Sequence, residues 1–377
     1  MPWAEVSIMS MRREFVMLAG QEGANRRELC RRYGVSPTTG YKWLGRAGAD
    51  PQESFSDRSR RPLRSPAQSR GEMEAAVLSL RDEHPAWGGR KLRRRLVDLG
   101  HRQAPSASTI TAILRRNGRL DAEESARRTA WQRFAREAPN ELWQMDFKAP
   151  FATDEGRCHG LSVLDDCSRF ALALEACPNQ QLETVKGQLT GIFQRYGLPH
   201  AMLTDNGPPW GNIEDEESRY TRFEVWLIQL GVSLHHGRPY HPQTQGKDER
   251  FHRTVEAELI GRRRFASLCE CQQAFEHWRH VYNSERPHEA IDLDTPVRRY
   301  RPSPRSFPQQ LPPVDYPDRI VRKVQANGRI SFGGQKWSVG KAFAGHPVAL
   351  RPNNKDGCYD VFFCQQPIAD IDLSHPP

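Results

Sequence analysis

The sequence predicts a multidomain chain in which helical N-terminal units precede a central α/β domain and a small C-terminal all-β domain. Three observations predict this. The 377 residues exceed what one compact core usually holds. The hydrophobic period changes from helical to strand-like near Glu141, and a run of prolines precedes residues 318–377.

Positive charge is concentrated in the N-terminal third of the chain. The formal net charge is +9, and residues 1–140 hold 27 basic and 16 acidic residues. Such an excess is typical of proteins that bind a polyanion, so nucleic acid is the first partner indicated. A merely soluble basic surface is the alternative.

Other compositional features exclude several classes of protein. The eight cysteines contain no Cys-x-x-Cys pair, which argues against a disulfide framework and a thiolate zinc site. No apolar stretch is long enough for a membrane span, and residues 1–20 do not resemble a secretory signal. We expect a cytoplasmic protein without a membrane partner.

Residues 1–49 are predicted to form a helix-turn-helix DNA-binding domain. Asn25 with Glu28 forms a capping box, Gly34 favours a helix end, and Ser36 before Pro37 starts a second helix. The exposed polar side of that second helix would face DNA. It carries Thr38, Thr39, Tyr41, Lys42 and Arg46.

A basic linker and a second helical pair follow. Residues 50–68 have no apolar period, and their arginines could follow a phosphate backbone or enter a minor groove. These arginines are Arg58, Arg60, Arg61 and Arg64. Residues 69–125 are predicted to form a second helix-turn-helix-like DNA-binding domain. Its candidate DNA-binding residues are Arg93, Arg94, Arg115 and Arg116. An ordinary helical hairpin is the alternative for either pair.

Residues 126–296 are predicted to form the α/β domain and to contain the chemistry. Asp146 lies within the first strand of a predicted meander, and Asp205 follows a later short strand. Carboxylates in apolar strands are costly unless a cation neutralises them, and divalent metals are the usual reason to gather several. Asp248 and Glu249 both lie in the first turn of a later helix, and spacing alone does not choose between them.

Five motifs resemble, in order, those of bacterial insertion-sequence transposases with an integrase core, which are relatives of retroviral integrases. The resemblance spans most of the chain. The motifs are Leu142 to Asp146, Asp165 to Phe170, Thr204 to Gly207, His241 to Thr254, and Tyr282 to His288.

The resemblance implies a ribonuclease-H-like core with an aspartate-aspartate-glutamate triad. It makes Asp146, Asp205 and Glu249 the catalytic and metal-binding residues, and it favours Glu249 over Asp248. The spacing from Asp205 to Glu249 is longer than in many relatives, and the acidic loop Ile213 to Ser218 is the expected insertion. If that loop belonged to the fold, Glu216 or Glu224 could be mistaken for the third ligand.

The resemblance also implies the chemistry. Two Mg²⁺ ions, with Mn²⁺ as a substitute, would support cleavage by water and then attack of a 3′-hydroxyl on target DNA. No ATP or other small-molecule cofactor is required. Asn206, Lys247, Arg250 and Arg253 are candidate DNA contacts near the triad. Asp165 and Asp166 are better explained by turn chemistry and a pairing with Arg169.

The C-terminal part is predicted to be a proline-rich linker and a small barrel. Residues 297–317 hold six prolines, which disfavour a helix or a central strand. Residues 318–377 alternate short apolar runs with Asn-Gly, Gly-Gly and Asp-Gly turns, as expected of hairpins in a small barrel. By resemblance this module is an SH3-like barrel.

The sequence therefore indicates a DNA transposase that binds the terminal inverted repeats of an insertion sequence and carries out metal-dependent cleavage and strand transfer. Double-stranded DNA is the expected partner, with a dimer or tetramer assembled on it at the bacterial nucleoid. One alternative is a sequence-specific DNA-binding protein derived from a transposase and lacking cleavage activity. The other is a structure-selective nuclease that hydrolyses DNA without joining it.

Overall fold

The computed structural model describes residues 8–49, 55–57, 69–120, 136–210, 220–237, 246–317 and 319–375. It divides into two compact units, residues 1–68 and residues 69–377, which are considered one at a time. Several predicted features lie outside the described residues. They are the arginines of the basic linker, the acidic loop with Glu216, and His241.

The first unit consists of three helices, α1 (Ile8–Ala19), α2 (Arg26–Arg32) and α3 (Pro37–Ala49). Its predicted caps are confirmed. The Asn25 side chain accepts from the Glu28 N–H at 3.1 Å, and the Ser36 hydroxyl accepts from the Thr39 N–H at 3.2 Å. Gly34 between the two helices has a φ of +62°, the left-handed conformation that ends a helix. Helix α1 was not predicted from the sequence.

Gly40 explains how α3 crosses the other two helices. A Cβ at this position would lie 2.6 Å from Cys30 Sγ and 2.9 Å from Phe15 Cζ, and both neighbours belong to the small core of this unit. The glycine weakens the α3 helix intrinsically, but close packing requires it.

The second unit begins with helices α4 (Gly71–Glu83), α5 (Gly89–Asp98) and α6 (Ala107–Arg116). The predicted pair α5–α6 is confirmed, and Ser106 caps α6 by accepting from the Thr109 N–H at 3.2 Å. Helix α4 was not predicted. The three helices share one apolar core, formed chiefly by Val77, Leu80, Trp87, Leu92, Leu96, Ile110, Ile113 and Leu114. Val281, from a later helix of this unit, packs against this core, so we refer to residues 69–120 as the docked module.

A six-stranded mixed sheet forms the centre of the second unit. Its strands are β1 (Leu142–Phe147), β2 (Phe151–Thr153), β3 (Gly156–Asp165), β4 (Ala171–Cys177), β5 (Ala201–Thr204) and β6 (Ser233–His236). Strand β1 pairs antiparallel with β3 and parallel with β5, β5 pairs parallel with β6, and β3 also pairs with β2 and β4. The predicted meander is therefore extended by parallel strands on the far side of β1.

Helices cover both faces of this sheet. They are α7 (Leu182–Tyr196), α8 (Arg222–Gln229), α9 (Gly246–Glu258), α10 (Leu268–Ser284) and the short α11 (Pro296–Arg299). One apolar cluster joins the sheet to α7 and α8, with Trp143, Phe193 and Phe223 at its centre. A second cluster joins the sheet to α9 and α10 through Phe251 and Phe275. The predicted α/β layers are thus present.

The C-terminal part forms an open sheet and not the expected closed barrel. Its strands are β7 (Ile320–Lys323), β8 (Arg329–Phe332), β9 (Gln335–Ser338), β10 (Pro347–Pro352), β11 (Cys358–Phe363) and β12 (Gln366–Asp372). Strands β12-β11-β10-β7 make one sheet, while β8 and β9 pair only with each other among the described residues. The β8–β9 hairpin does not join β7 to β12, so the described residues do not form the closed barrel that an SH3-like domain requires.

The proline-rich segment packs against the central domain. The Tyr300 ring stacks on Phe170 at 4.4 Å, and the Leu198 N–H donates to the Arg305 carbonyl at 2.7 Å. The prolines exclude regular structure, but these contacts order the segment. Among the described helices, none is long and apolar enough to cross a membrane.

Candidate active site

The pairing of β1 with β5 brings the two predicted aspartates together. Gln144 lies opposite Leu203 in this parallel pair, so continuing the register by two residues places Asp146 beside Asp205. Neighbouring strands are about 4.8 Å apart, and residues in register share a face of the sheet. Two carboxylates that are 59 residues apart in the chain therefore become neighbours through the fold alone.

Asp146 responds to its neighbours electrostatically. The pKa of its carboxyl is raised from the ordinary 3.8 to about 7. Burial is the largest cause, and the charges of Asp205 and Glu249 raise the pKa further. A hydrogen bond from the Phe147 N–H at 2.8 Å opposes this rise. The three residues of the predicted triad thus interact at one end of β1, and Glu249 reaches it from α9.

Asp205 is held in place by the turn that follows β5. Its Oδ1 accepts hydrogen bonds from the Gly207 N–H at 3.1 Å and from the indole N–H of Trp210. A Cβ at position 207 would stand 3.1 Å from Asp205 Oδ2, so a side chain there would crowd the carboxylate. The side-chain amide of Asn206, a predicted DNA contact, donates to the Gly237 carbonyl at 3.1 Å and so is engaged within the protein.

His252 lies against Asp146 instead of facing solvent. The Ser162 hydroxyl donates to the Asp146 carbonyl at 3.1 Å, so the His252 Nε2–H must donate to Ser162 Oγ, 2.9 Å away. This leaves the Nδ1 lone pair facing Asp146 Oδ2 at 3.8 Å. Burial first, and Lys148 second, lower the pKa of His252 to about 4, so the imidazole is neutral.

The two acids at the start of α9 occupy different environments. Asp248 is buried, and its Oδ1 has no hydrogen-bond partner within the described part of the chain. Burial, and then the Asp146 charge, raise its pKa well above the ordinary value, and Lys247 partly opposes this. Glu249 is exposed. Only Glu249 projects towards the solvent side, where DNA could be reached.

Glu224, which could have been mistaken for the third metal ligand, lies in α8 and not in α9. It is buried within α8, and its backbone N–H donates to Thr221 at 3.2 Å as part of the helix cap. Burial raises its pKa to about 7, and neither Asp146 nor Glu249 is among the charges that shift it. It therefore takes no part in the acidic cluster around Asp146.

Models of known families match successive parts of the chain. An integrase core domain matches residues 136–242, and a second integrase core model matches residues 230–296. The C-terminal domain of IS481 family transposases matches residues 319–376. A helix-turn-helix domain matches residues 11–62 and a homeodomain-like domain residues 39–114.

Two relatives are proteins of bacterial insertion elements. An uncharacterized 31.7 kDa protein of insertion element IS407 from Burkholderia multivorans is 26% identical over 42% of this chain and 54% of its own length. An uncharacterized 39.2 kDa protein of insertion element IS476 from Xanthomonas euvesicatoria is 26% identical over 60% of this chain and 64% of its own. Together, these matches support a bacterial insertion-sequence transposase with an integrase core. The chain spans less than two thirds of the length of these two relatives.

Two solved viral structures are also similar. A chain of the simian T-cell lymphotropic virus intasome, in complex with the PP2A regulatory subunit B56 gamma, has a TM-score of 0.38 and 13% identity over 79% of this chain and 96% of its own. The HTLV-2 integrase catalytic core domain in complex with magnesium has a TM-score of 0.32 and 15% identity over 44% of this chain and 99% of its own length.

The basic residues around the predicted triad divide into two groups. Arg250 and Arg253 are exposed on α9. Lys247, in contrast, forms an ion pair with the buried Asp166, which also accepts from Gln144 Nε2 at 2.6 Å and from the Arg136 N–H at 2.8 Å. The expected pairing of Asp166 with Arg169 is not found among the described residues. Asp166 is too deeply buried for its role to be only turn formation.

The predicted DNA-reading residues of α3 lie mostly at the surface. Thr38, Tyr41 and Lys42 are exposed, while Thr39 and Arg46 are partly buried. Arg46 instead lies over the Trp43 ring, with its guanidinium 4.8 Å from the ring centre. Because the exposed side chains share one side of α3, their placement is compatible with the predicted DNA contact.

The arginines of the docked module differ in their surroundings. Arg93 and Arg115 are exposed. Arg116 forms an ion pair with Glu74, and Arg94 bonds Asp98 at 3.2 Å. Two of the four predicted DNA contacts in this module are therefore engaged within the protein.

The Tyr282 to His288 motif has a structural function that sequence reasoning did not identify. Asn283 pairs with the backbone of Ala171 in both directions, at 2.8 and 3.0 Å, like an added strand residue. Arg286 forms a buried ion pair with Glu258 at 3.1 Å. The motif therefore ties α10 to the sheet and to the end of α9, the helix that carries Glu249.

Proposed function

We propose that this chain binds the terminal inverted repeats of an insertion sequence, cleaves the 3′ ends of the element and joins them to target DNA. The observation that carries the proposal is the placement of Asp146 beside Asp205 on neighbouring strands, with Glu249 adding to the raised pKa of Asp146. The integrase core models that match this region support the same class of polynucleotidyl transfer.

The three acids have the chemistry of a divalent-metal site. Carboxylate oxygens are the ligands that Mg²⁺ prefers. Within the described ranges, no group of three His, Cys, Asp or Glu side chains is close enough to hold an ion, so the proposal requires Asp146, Asp205 and Glu249 to move together when ions and DNA bind.

Asp146, Asp205 and Glu249 would hold two Mg²⁺ ions, with Mn²⁺ as a substitute. The ions would lower the pKa of a water or 3′-hydroxyl and stabilise the attacking and leaving oxygens of an in-line phosphoryl transfer. Trp210 and Gly207 fix Asp205 through its Oδ1 and orient Oδ2 for binding. Ser162 and His252 hold the Asp146 backbone and flank its carboxylate. No step requires ATP.

DNA recognition is assigned to the two helical regions and to the surface of α9. Thr38, Tyr41, Lys42, Arg93 and Arg115 are exposed, as phosphate and base contacts must be. Arg250 and Arg253 flank Glu249 at the surface and would contact phosphates near the scissile bond. The arginines of the basic linker complete the proposed interface. We place the protein at the bacterial nucleoid, as a dimer or tetramer that holds two element ends.

The test is a strand-transfer assay with purified protein, Mg²⁺ or Mn²⁺, a labelled duplex carrying a candidate element end, and a supercoiled plasmid. We expect joined product from the wild type, and none from Asp205→Asn, which should still bind the end. Hydrolysis without joining would favour a nuclease. Tight, salt-sensitive binding without any product would favour a DNA-binding protein that has lost cleavage activity.

A further inference from the structure

Helix α5 of the docked module has three distinct faces. Leu92 and Leu96 point into the core of the module. Arg93 and Val97 are exposed. The third face carries Arg94, Arg95 and Asp98 at helical spacing, and these side chains contact the central domain.

The contacts of this third face form a network between the module and the central domain. Arg95 forms an ion pair with Glu285 at the end of α10. Asp98 Oδ1 lies 3.2 Å from Arg94 and 3.7 Å from Arg298, while Asp294 Oδ1 lies 3.3 Å from Arg298 and 3.9 Å from Arg94. The Arg95 and Glu285 side chains are only 20% and 27% exposed, which limits screening by salt.

Apolar packing continues across the same boundary. Val281 of α10 packs against the apolar core of the module, one helical turn before Glu285. The module is thus held by a packed side chain and by three charged side chains on each side of the boundary. Such an interface fixes orientation, because charged partners must meet in one register.

The docking point is also connected to the active site. Glu285 is followed by Arg286, which bonds Glu258 at the last residue of α9. Glu249 lies nine residues earlier on that helix, about 14 Å along its axis. A rigid path therefore runs from α5 through α10 and α9 to the third acid of the proposed triad.

We propose that the docked face of α5 sets the position of DNA cleavage by holding the module at a fixed distance from the carboxylates. This inference rests on the proposed function. DNA held on the exposed face of the module would present one particular phosphodiester to Asp146, Asp205 and Glu249. Arg95 and Glu285 are positioning residues in this account, since neither touches the reacting atoms.

The test maps the position of 3′ cleavage at single-nucleotide resolution on a labelled element end, using the full chain with Mn²⁺. The variants are Arg95→Glu, Glu285→Arg and the double variant with both changes. We expect each single variant to reduce cleavage at the wild-type phosphodiester by about 10- to 100-fold and to spread it to neighbouring positions. End binding should stay within about twofold, and the double variant should restore the original position.

Arg93→Glu is the matched contrast, because Arg93 lies on the exposed face of the same helix. It should weaken end binding and leave the cleavage position unchanged. Circular dichroism and melting temperature verify that every variant is folded. Unchanged position and rate in both single variants would overturn the inference, as would faster cleavage or a defect that the double variant does not restore. A wild type that cleaves nothing would instead refute the proposed function.

Discussion

Asp248 and Glu249 are consecutive residues in the first turn of α9, yet Asp248 is 1% exposed while Glu249 faces solvent. A helix turns by about 100° per residue, so neighbouring side chains reach different environments. The fold therefore separates two acids that the sequence alone left as alternatives. Asp248 faces the interior beside Lys247, and Glu249 remains available to ions and DNA.

Removing the Asp248 charge is expected to stabilise the protein. Its folded pKa is raised above the unfolded value, so the penalty is absent below about pH 4 and grows as pH rises towards the folded pKa. Asp248→Val, which also removes the unpaired Oδ1, should raise the free energy of unfolding at pH 8 by about 1–3 kcal/mol. Urea denaturation of the metal-free protein measures this change in the free energy of unfolding. Asp248→Asn, the isosteric control, should flatten the pH dependence equally; a lower stability for both variants would contradict the account.

Metal ions are expected to stabilise the protein more at alkaline pH than at acidic pH. The pKa of Asp146 is about 7 in the folded chain, so the stability of metal-free protein falls as pH rises from about 4 through 7. The difference from 3.8 corresponds to roughly 4 kcal/mol at most. Differential scanning calorimetry should give a larger rise in melting temperature with Mn²⁺ at pH 8 than at pH 5.5.

The Asp146→Asn variant is the control for that measurement. In EDTA at pH 8 it should melt about 2–4 °C above the wild type, because it carries no charge to repel Asp205. Mn²⁺ should then shift its melting temperature little. An equal metal response in this variant would remove Asp146 from the proposed site.

Breaking the buried ion pair of Arg286 with Glu258 is expected to be costly. Among the described residues, Arg286→Ala leaves the Glu258 carboxylate with the Trp278 indole N–H, 3.2 Å away, as its remaining partner. The variant should lower the free energy of unfolding by about 3–5 kcal/mol. Arg263, paired with Glu270 on the surface, is the matched control, and Arg263→Ala should cost less than about 1 kcal/mol. Chemical denaturation compares the two; similar losses would show that the motif pair contributes no more than a surface pair.

Arg115 and Arg116 are adjacent on α6 but should behave differently. Arg115 is exposed, so Arg115→Ala should weaken end binding and reduce the slope of log affinity against log salt by about 1. Arg116 pairs with Glu74, so Arg116→Ala should mainly lower the melting temperature. Fluorescence anisotropy over a salt series distinguishes them. An equal change in the slope of log affinity against log salt in both variants would contradict the assignment of DNA binding to Arg115 and of a structural ion pair to Arg116.

Local signals in the sequence predicted much of the fold. The caps formed by Asn25, Ser36 and Ser106 involve residues three apart, so sequence spacing determines them. The same is true of Gly34. Helices α1 and α4 carry weaker signals, since α1 lacks acidic residues in its first turn and α4 lacks a side-chain cap.

Long-range pairings could not be predicted in the same way. Lys247 was expected to face DNA, but its partner Asp166 is 81 residues away in the chain. Arg95 meets Glu285 across 190 residues. The openness of the C-terminal sheet likewise depends on which strands pair, and alternating residues predict strands without fixing their partners. For the candidate site, the sequence supplied the residues, and the β1–β5 register supplied their adjacency.

The most direct test of the account compares strand transfer by the wild type, Glu249→Gln and Asp248→Asn under identical metal and DNA conditions. Both substitutions replace a carboxyl group in the same turn of α9 by its amide, with little change in side-chain volume. We predict that joined product disappears with Glu249→Gln and persists with Asp248→Asn. Loss of joining in Asp248→Asn together with retained joining in Glu249→Gln would contradict the assignment of the third acid.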